Sequence, residues 1–389
     1  MKFELTEEQQ MIRDMTRRFA DDKLKPMAES IDRDHRFPKE IVKELGELGI
    51  MGVAIPDQWG GAGMDHTSYA IAVEEISRGC ASTGVIVSVN NSLYCDPVFH
   101  FGSDTIREQY LTPYASGNKL GCFGLTEANA GTDAGGTRAT AIRDGNEFVL
   151  NGTKNFITNG REAGATVCFF RTNKEDKHGR ITAIVVPTDA PGFSVGKVED
   201  KLGICGSSTT ELVFEDVRVP VENMLGEEGK GFKVAMHTLD CGRIGIAAQA
   251  LGIAQAAFEA ARDYSLEREQ FGKAIGSFQA IQWMLADMAT RIEASRLLLY
   301  RAAEAKHASE ENGARISKTS AMAKLFCSET AMWTTTQAIQ IFGGYGYTKD
   351  YPVERHFRDA KITEIYEGTS EVQRMVIAQS VLRESPMWK

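Results

Sequence analysis

The sequence contains no Cys-x-x-Cys pair and no His-Glu-x-x-His. Its seven cysteines (Cys80, Cys95, Cys122, Cys168, Cys205, Cys241 and Cys327) are odd in number and scattered. Such a set reads as reduced thiols in a cytosol-like compartment, not as a disulfide framework. The seven histidines are equally dispersed, so spacing supports no metal site. There is no basic surplus either, because the net charge is −9. Without excess Lys and Arg to neutralise phosphates, a general nucleic-acid or anionic-membrane binder is disfavoured. No apolar run reaches the roughly 18 residues of a membrane span, so no membrane insertion is expected. The start, Met1-Lys2-Phe3, has neither the apolar region of a signal peptide nor the Arg/Ser-rich character of a transit segment. A bacterial cytoplasmic protein is expected, although a processed mitochondrial matrix protein would read alike.

What is present is a chain of 389 residues with 42% hydrophobic and 25% charged residues. That is ordinary for a globular protein with a substantial core, and the length suggests two or three domains. No internal repeat or low-complexity tract interrupts it. Residues 1–120 read as a helical domain. Thr6 and Gln9 have capping-box spacing before Ile12, Met15 and Phe19. Pro38 opens a second helix carrying Ile41, Leu45 and Leu48. Residues 68–77 and 81–101 have the low polarity of core helices. Residues 121–230 change pattern, with Asp144-Gly145 and Asn151-Gly152 as hairpin signals among strand-like runs. This predicts an antiparallel β-domain, a small barrel or sandwich, and the lack of intervening helices argues against a doubly wound sheet. From 231 to 389 the chain is helical again. Ile244, Ala247, Leu251, Ala254, Phe258 and Ala261 step by threes and fours, the pattern of a tightly packed antiparallel bundle. The fold class is therefore α+β, in the order helical, β, helical.

The common nucleotide signatures fail. Gly226 to Gly231 lacks the order of a P-loop, and Gly343-Gly344-Tyr345-Gly346-Tyr347 is not Gly-x-Gly-x-x-Gly after a strand. Four other stretches draw attention together. Phe123 to Asp133 clusters small and hydroxyl residues and could present backbone N–H groups to a polar ring or a phosphate; an interdomain linker would look the same. Phe156-Ile157-Thr158 puts a ring and a hydroxyl on one strand face. Arg268 in Arg268-Glu269-Gln270-Phe271-Gly272 suits a diphosphate or a plain helix end. Gln340 to Gly344 suits a close-packed helix exit. A fifth stretch, Glu364 to Glu371, places Glu367 between a Tyr and a Gly, just before a helix start with Ser370 and Gln373 at capping-box spacing. Taken alone, Glu367 reads as a solvated carboxylate near a helix N-terminus.

The combination of motifs resembles the acyl-CoA dehydrogenase family over essentially the whole chain. It rests on the G-L-T-E-x-x-x-G-[ST]-D loop, F-I-T-N-G, Leu239-Asp240-Cys241-Gly242-Arg243, R-x-x-F-G, Q-I-F-G-G-x-G-Y, Arg358-Asp359-Ala360 and I-Y-E-G-T-S-E. Glu74 to Arg78 through Asn90 to Tyr94 most resembles the short-chain, butyryl-CoA type. The resemblance implies an N-terminal helical domain, a middle β-domain, a C-terminal four-helix bundle, bound FAD and a homotetramer. It implies that Phe123, Leu125, Thr126, Gly131, Thr132, Phe156 and Thr158 line the flavin, with Thr132 also near CoA. Arg268, Phe271, Gln279, Gln340, Gly343 and Gly344 would hold the diphosphate and adenosine end, partly across a subunit interface. Thr369 and Glu371 would complete the cofactor site, while Asp240, Arg243, Tyr366 and Gly368 would bind substrate. Glu367 matches the catalytic base of α,β-dehydrogenation, with electrons passing to an electron-transfer flavoprotein. Medium- or branched-chain specificity, an oxidase-like member and a DNA-associated flavoprotein of the same superfamily are the alternatives. Ala128, Thr132 and Phe156 depart from the usual Pro, Ser and Trp. Gly242 stands where isovaleryl- and long-chain-type members carry their base, which favours Glu367.

Overall fold

A computed structural model describes residues 4–172 and 180–384; the Met1-Lys2-Phe3 start lies outside the described residues. The N-terminal helices are α1 (Glu7–Phe19), α2 (Lys25–Arg33), α3 (Lys39–Glu47), α4 (His66–Gly79), α5 (Ala81–Ser88), α6 (Asp96–Phe101), α7 (Asp104–Tyr110) and α8 (Thr112–Ala115). The Thr6–Gln9 box caps α1 in both directions, so a local pattern is realised as a local structure. Between α5 and α6 the chain continues as a π-helical stretch, Val89–Cys95. Every residue of α4 and α5 is buried, which explains why these segments carry so few charges. The charges that α4 does bury are paired. Arg78 donates to Glu75 (3.0 Å), Glu259 (2.9 Å) and Asp21 (2.8 Å), joining three parts of the chain.

The middle strands are β1 (Gly121–Gly124), β2 (Thr140–Asp144), β3 (Glu147–Thr158), β4 (Ala165–Arg171), β5 (Ile181–Pro187), β6 (Phe193–Val198), β7 (Thr209–Pro220) and β8 (Met224–Leu225). They form one sheet in the order β6-β7-β3-β2-β4-β5-β8, with β1 added parallel to β4. Asp144-Gly145 is the β2–β3 hairpin turn, as its sequence predicts. Asn151-Gly152 is not a turn. It lies inside β3, where the register with β7 slips between Leu150 and Gly152. Gly152 has φ +135°, and a Cβ there would stand 2.6 Å from Ala139 Cβ. The dipeptide therefore makes a β-bulge, and long-range pairing with β7 overrides the turn signal.

The last segment holds α9 (Gly231–Glu267), a short hairpin of β9 (Glu269–Gln270) and β10 (Lys273–Ala274), α10 (Gln279–Asn312), α11 (Ser317–Phe342), α12 (Val353–Ile362) and α13 (Ser370–Glu384). α9 is the spine of the molecule. By length and composition it could cross a membrane, but 78% of its apolar window is buried inside the protein, as expected of a core helix. Its glycines admit neighbouring helices closely. A Cβ at Gly252 would lie 2.2 Å from Glu74 O, and one at Gly245 would lie 2.2 Å from Ser88 Oγ. α9 thus meets the α4 backbone at Gly252 and makes room for the Ser88 and Tyr69 hydroxyls at Gly245, so a larger residue at either point would collide.

Candidate active site

Glu367 sits in the bend between α12 and α13 with φ +53°, followed by Gly368 at φ +91°. A left-handed non-glycine residue is strained and must be held by its surroundings. The holding groups are visible. Gln373 Nε2 donates to the carbonyls of Glu367 (3.1 Å) and Gly368 (2.8 Å), and Lys324 Nζ donates to the Gly368 carbonyl (2.9 Å). The capping box expected from Ser370 and Gln373 is not formed. Thr369 is the cap instead, its Oγ1 accepting from Val372 N (3.4 Å), because the Gln373 amide is spent on the bend. The Ser370 hydroxyl is buried without a partner.

The bend aims the Glu367 carboxylate at α9. A Cβ on Gly242 would fall 2.1 Å from Glu367 Oε2 and 2.7 Å from Leu93 Cδ2. The missing side chain is therefore the space that the carboxylate occupies. Glu367 Oε2 is shielded from solvent and has no hydrogen-bond partner among the described residues. Burial pushes its pKa up to about 8, against the lowering influence of Lys324 and Arg243. Arg243 is itself buried, which lowers its pKa, and Asp240 offsets this through a contact of 2.6 Å. Asp240 also accepts from Ser317 Oγ at 2.5 Å. Tyr366 hydrogen-bonds through its hydroxyl to Gln249, further along α9. Asp240, Arg243, Tyr366, Glu367 and Gly368 are thus gathered at one place.

A second group lies on the β-domain. Asn155 N donates to Thr126 O (2.8 Å), which brings the end of β1 beside the end of β3. Phe123 and Leu125 are buried, while Phe156 is 63% exposed. Phe156 adopts φ +59° inside a register shift of β3, so a bulge turns its ring outward. The Thr126 and Thr158 hydroxyls make no hydrogen bond within the protein among the described residues. Behind this surface Lys154 is fully buried and donates to Glu127 (2.8 Å), which also accepts from Arg138 N (2.6 Å) and Ala139 N (3.0 Å). That carboxylate fixes the turn of the loop carrying Gly131 and Thr132, both of which are exposed.

Arg268, Phe271, Gln279, Gln340, Gly343 and Gly344 form a third group at the far end of the bundle. Arg268 caps α9 and lies over the Tyr345 ring at 5.6 Å, and Phe271 is 93% exposed. This group stands roughly 39 Å beyond Gly242 along α9, at 1.5 Å per residue. Within one chain the structure does not bring it to the Glu367 group. Thr369 and Glu371 remain beside Glu367 at the start of α13.

Sequence reasoning missed Lys324, Gln373 and Gln249. Lys324 had a readable signal, since it shares a stripe with Ser320, Cys327 and Ala331 on a helix face that is otherwise small and apolar. The histidines also surprise. His66, His100 and His237, dispersed in sequence, converge with Asp96 and Glu310. Ligand atoms of Asp96, His100 and His237 lie within 4.8 Å of one another. Lys306 Nζ, 3.1 Å from Asp96 Oδ1, already supplies a cation there.

The sequence matches three family descriptions in order: "Acyl-CoA dehydrogenase, N-terminal domain" over residues 6–118, "middle domain" over 122–217 and "C-terminal domain" over 229–382. It is 53% identical over 383 residues to "Acyl-CoA dehydrogenase, short-chain specific" of Clostridium acetobutylicum, covering 98% of this chain and 100% of that one. Butyryl-CoA dehydrogenase from Megasphaera elsdenii superposes with a TM-score of 0.95 at 48% identity, covering 98% and 100% of the two chains. A chain of the structure described as "Electron transferring flavoprotein of Acidaminococcus fermentans: Towards a mechanism of flavin-based electron bifurcation" superposes with a TM-score of 0.96 at 51% identity, covering 99% and 100%.

Proposed function

The chain belongs to the acyl-CoA dehydrogenase family, and from that premise we propose that it converts short-chain acyl-CoA thioesters to trans-2-enoyl-CoA with Glu367 as the base. The single observation that carries this reading is the Glu367 carboxylate, whose Oε2 is shielded from solvent, unpartnered among the described residues and lodged in the space left by Gly242. The α-proton of a thioester is weakly acidic, so its base needs a pKa lifted well above that of an ordinary carboxylate. Burial supplies that lift. The Glu367 amide donates to no protein acceptor among the described residues, so it is free to donate to the thioester carbonyl as enolate charge develops. Arg243 and Asp240 would orient the CoA portion.

FAD is the cofactor of this oxidoreductase and, when bound, accepts the β-hydride. The residues fit it. The exposed Phe156 ring and the unspent Thr126 and Thr158 hydroxyls would face its ring system, with Phe123, Leu125, Gly131 and Thr132 around them. Arg268, Phe271, Gln279, Gln340, Gly343 and Gly344 would take the diphosphate and adenosine end, and a Cβ at Gly343 or Gly344 would meet nothing within 4 Å. Thr369 and Glu371 complete the set. The third group is far from the Glu367 group in one chain, so a second subunit would complete the cofactor site, in keeping with the homotetramer that the family resemblance implies. The exposed Phe271 (93%) and Tyr347 (88%) suit burial in such an interface. An electron-transfer flavoprotein is the proposed acceptor, a class named in the description of one solved neighbour.

The test is Glu367→Gln. Anaerobic flavin bleaching by butyryl-CoA should slow by a factor of about 10²–10⁴, the usual range for a removed general base, with flavin still bound. Unchanged bleaching in that variant would remove Glu367 from the chemistry. A preference of the wild type for octanoyl-CoA over butyryl-CoA would remove the short-chain assignment.

A further inference from the structure

Lys324 holds the bend at Gly368, and its buried charge calls for a role of its own. It lies on α11 with no exposed surface, and its Nζ donates to the Gly368 carbonyl at 2.9 Å. A lysine is rarely buried in full unless a partner compensates it. A single carbonyl is a weak compensation for an ammonium with three donors. The other compensation in reach is the Glu367 carboxylate, whose Oε2 is also buried and unpartnered.

We propose that Lys324 is a positioning residue for the base: its ammonium clamps the bend at Gly368 and its charge holds the Glu367 carboxylate in the ionised form that accepts the proton. The inference rests on Glu367 being the base. The clamp has two jaws, since Gln373 Nε2 donates to the same carbonyl at 2.8 Å. Gln373 contributes geometry without charge, whereas Lys324 contributes both.

The electrostatic surroundings assign this role to few groups. Lys324 is faced by Glu364 and Glu367 from the bend, by Glu371 from α13 and by Arg243 from α9. Burial brings its pKa down to about 8, while Glu367 and Glu364 oppose that fall. Glu367 is faced by Lys324 and Arg243. Tyr69 on α4, Cys241 on α9 and the adjacent Tyr366 also feel its charge, and burial keeps each of them neutral. Arg243 is engaged by Asp240 at 2.6 Å. Lys324 has no such carboxylate contact, so its field is the less neutralised of the two. Ammonium and carboxylate therefore titrate as a pair. The productive state is the one with Glu367 ionised, and an ionised Lys324 favours it. Removing the ammonium raises the proton affinity of the base, so a higher pH is needed to ionise it.

The experiment compares pH profiles of kcat/KM for butyryl-CoA in the flavin-loaded wild type, K324M, K324R and E367Q. In K324M the acid limb should move up by about one pH unit, a roughly tenfold loss at pH 7. The plateau at high pH should stay within a few-fold of wild type. K324R keeps the charge and should keep the limb within about 0.3 unit, because guanidinium remains protonated throughout. Should K324M fail to fold, K324Q replaces it with the same expectation, since it keeps a donor for the Gly368 carbonyl but no charge. A lowered plateau with an unmoved acid limb would make Lys324 a structural support only and overturn the proposal. Retained activity in E367Q would instead overturn the base assignment, a result separable from either outcome at Lys324.

Discussion

Adding one methyl group to α9, by Gly242→Ala, should disable the site without touching the base. The new Cβ would stand 2.1 Å from Glu367 Oε2, 2.9 Å from Glu367 Cδ and 2.7 Å from Leu93 Cδ2. Ordinary contact needs about 3.4 Å, so the carboxylate must retreat by roughly 1.3 Å. The helix will not move in its place, because at Gly252 and Gly245 it already lies against the α4 backbone and the Ser88 and Tyr69 hydroxyls. Glu367 ends a side chain with free torsions, and it yields first. Misplacing a reacting group by about 1 Å costs on the order of 10²-fold in rate, or about 2.7 kcal/mol of barrier. Overpacking should cost a further ~1–3 kcal/mol of stability. The assay is single-turnover flavin bleaching with butyryl-CoA, beside calorimetric binding of the enoyl product and a thermal melt. The expected result is a bleaching rate lower by about 100-fold with flavin content unchanged and product affinity altered by less than about fivefold. A rate within about threefold of wild type would refute the reasoning, for it would mean that the carboxylate does not work from the position it occupies beside Gly242.

Two further outcomes concern stability. Burial alone would lower the His100 pKa, but hydrogen bonds to Asp96 and Glu310 outweigh it and raise the value to about 9. A raised histidine stabilises the fold fully below the unfolded value of about 6.5 and loses that contribution as pH rises through about 9. Urea unfolding at pH 6.5 and 9.5 should therefore show a loss of up to ~3 kcal/mol in the wild type. H100Q should remove most of that difference; an equal pH dependence in H100Q would reject the assignment. Lys154→Met should destabilise by ~3–5 kcal/mol, because it strands the Glu127 carboxylate that organises the loop carrying Gly131 and Thr132. The denaturant midpoint reads this directly, and double replacement of Glu127 and Lys154 by apolar residues should recover much of it; no recovery would show that the loop needs Glu127 for more than charge balance.

Those parts of the fold were legible whose signal and structure are both local. The Thr6–Gln9 box caps α1, Asp144-Gly145 turns a hairpin, and the small-residue stripe of α9 packs as its spacing predicts. Asn151-Gly152 was misread because a turn and a bulge ask the same thing of a glycine, a positive φ. What separates them is whether the chain reverses, and pairing with β7 decides that from some sixty residues away. The cap of α13 went wrong by one residue for a related reason. Ser370 and Gln373 have the right spacing, but the Gln373 amide is worth more against two bent carbonyls than across a helix turn, so Thr369 takes the cap.

The site shows the same division more sharply. Glu367-Gly368 is a bend that any reader of the chain can find, yet the bend says nothing about where the carboxylate goes. Its position follows from Gly242, which has no side chain to oppose it, and from Lys324 and Gln373, which hold the strained backbone. These residues lie on α9, α11 and α13, and none carries a signature of its own. A glycine in a helix reads as a weak point, a helical lysine as a solvated charge, and a glutamine near a helix start as a cap. Each acquires its meaning only from the other two, through the left-handed residue at which they meet. Motif resemblance can point to Glu367 as the proposed base because its motif is written in contiguous residues. The environment that raises the pKa of its carboxylate is assembled from separate helices, so the competence proposed for Glu367 is a property of the packing, and it is there, at Gly242 and Lys324, that substitution should be most informative.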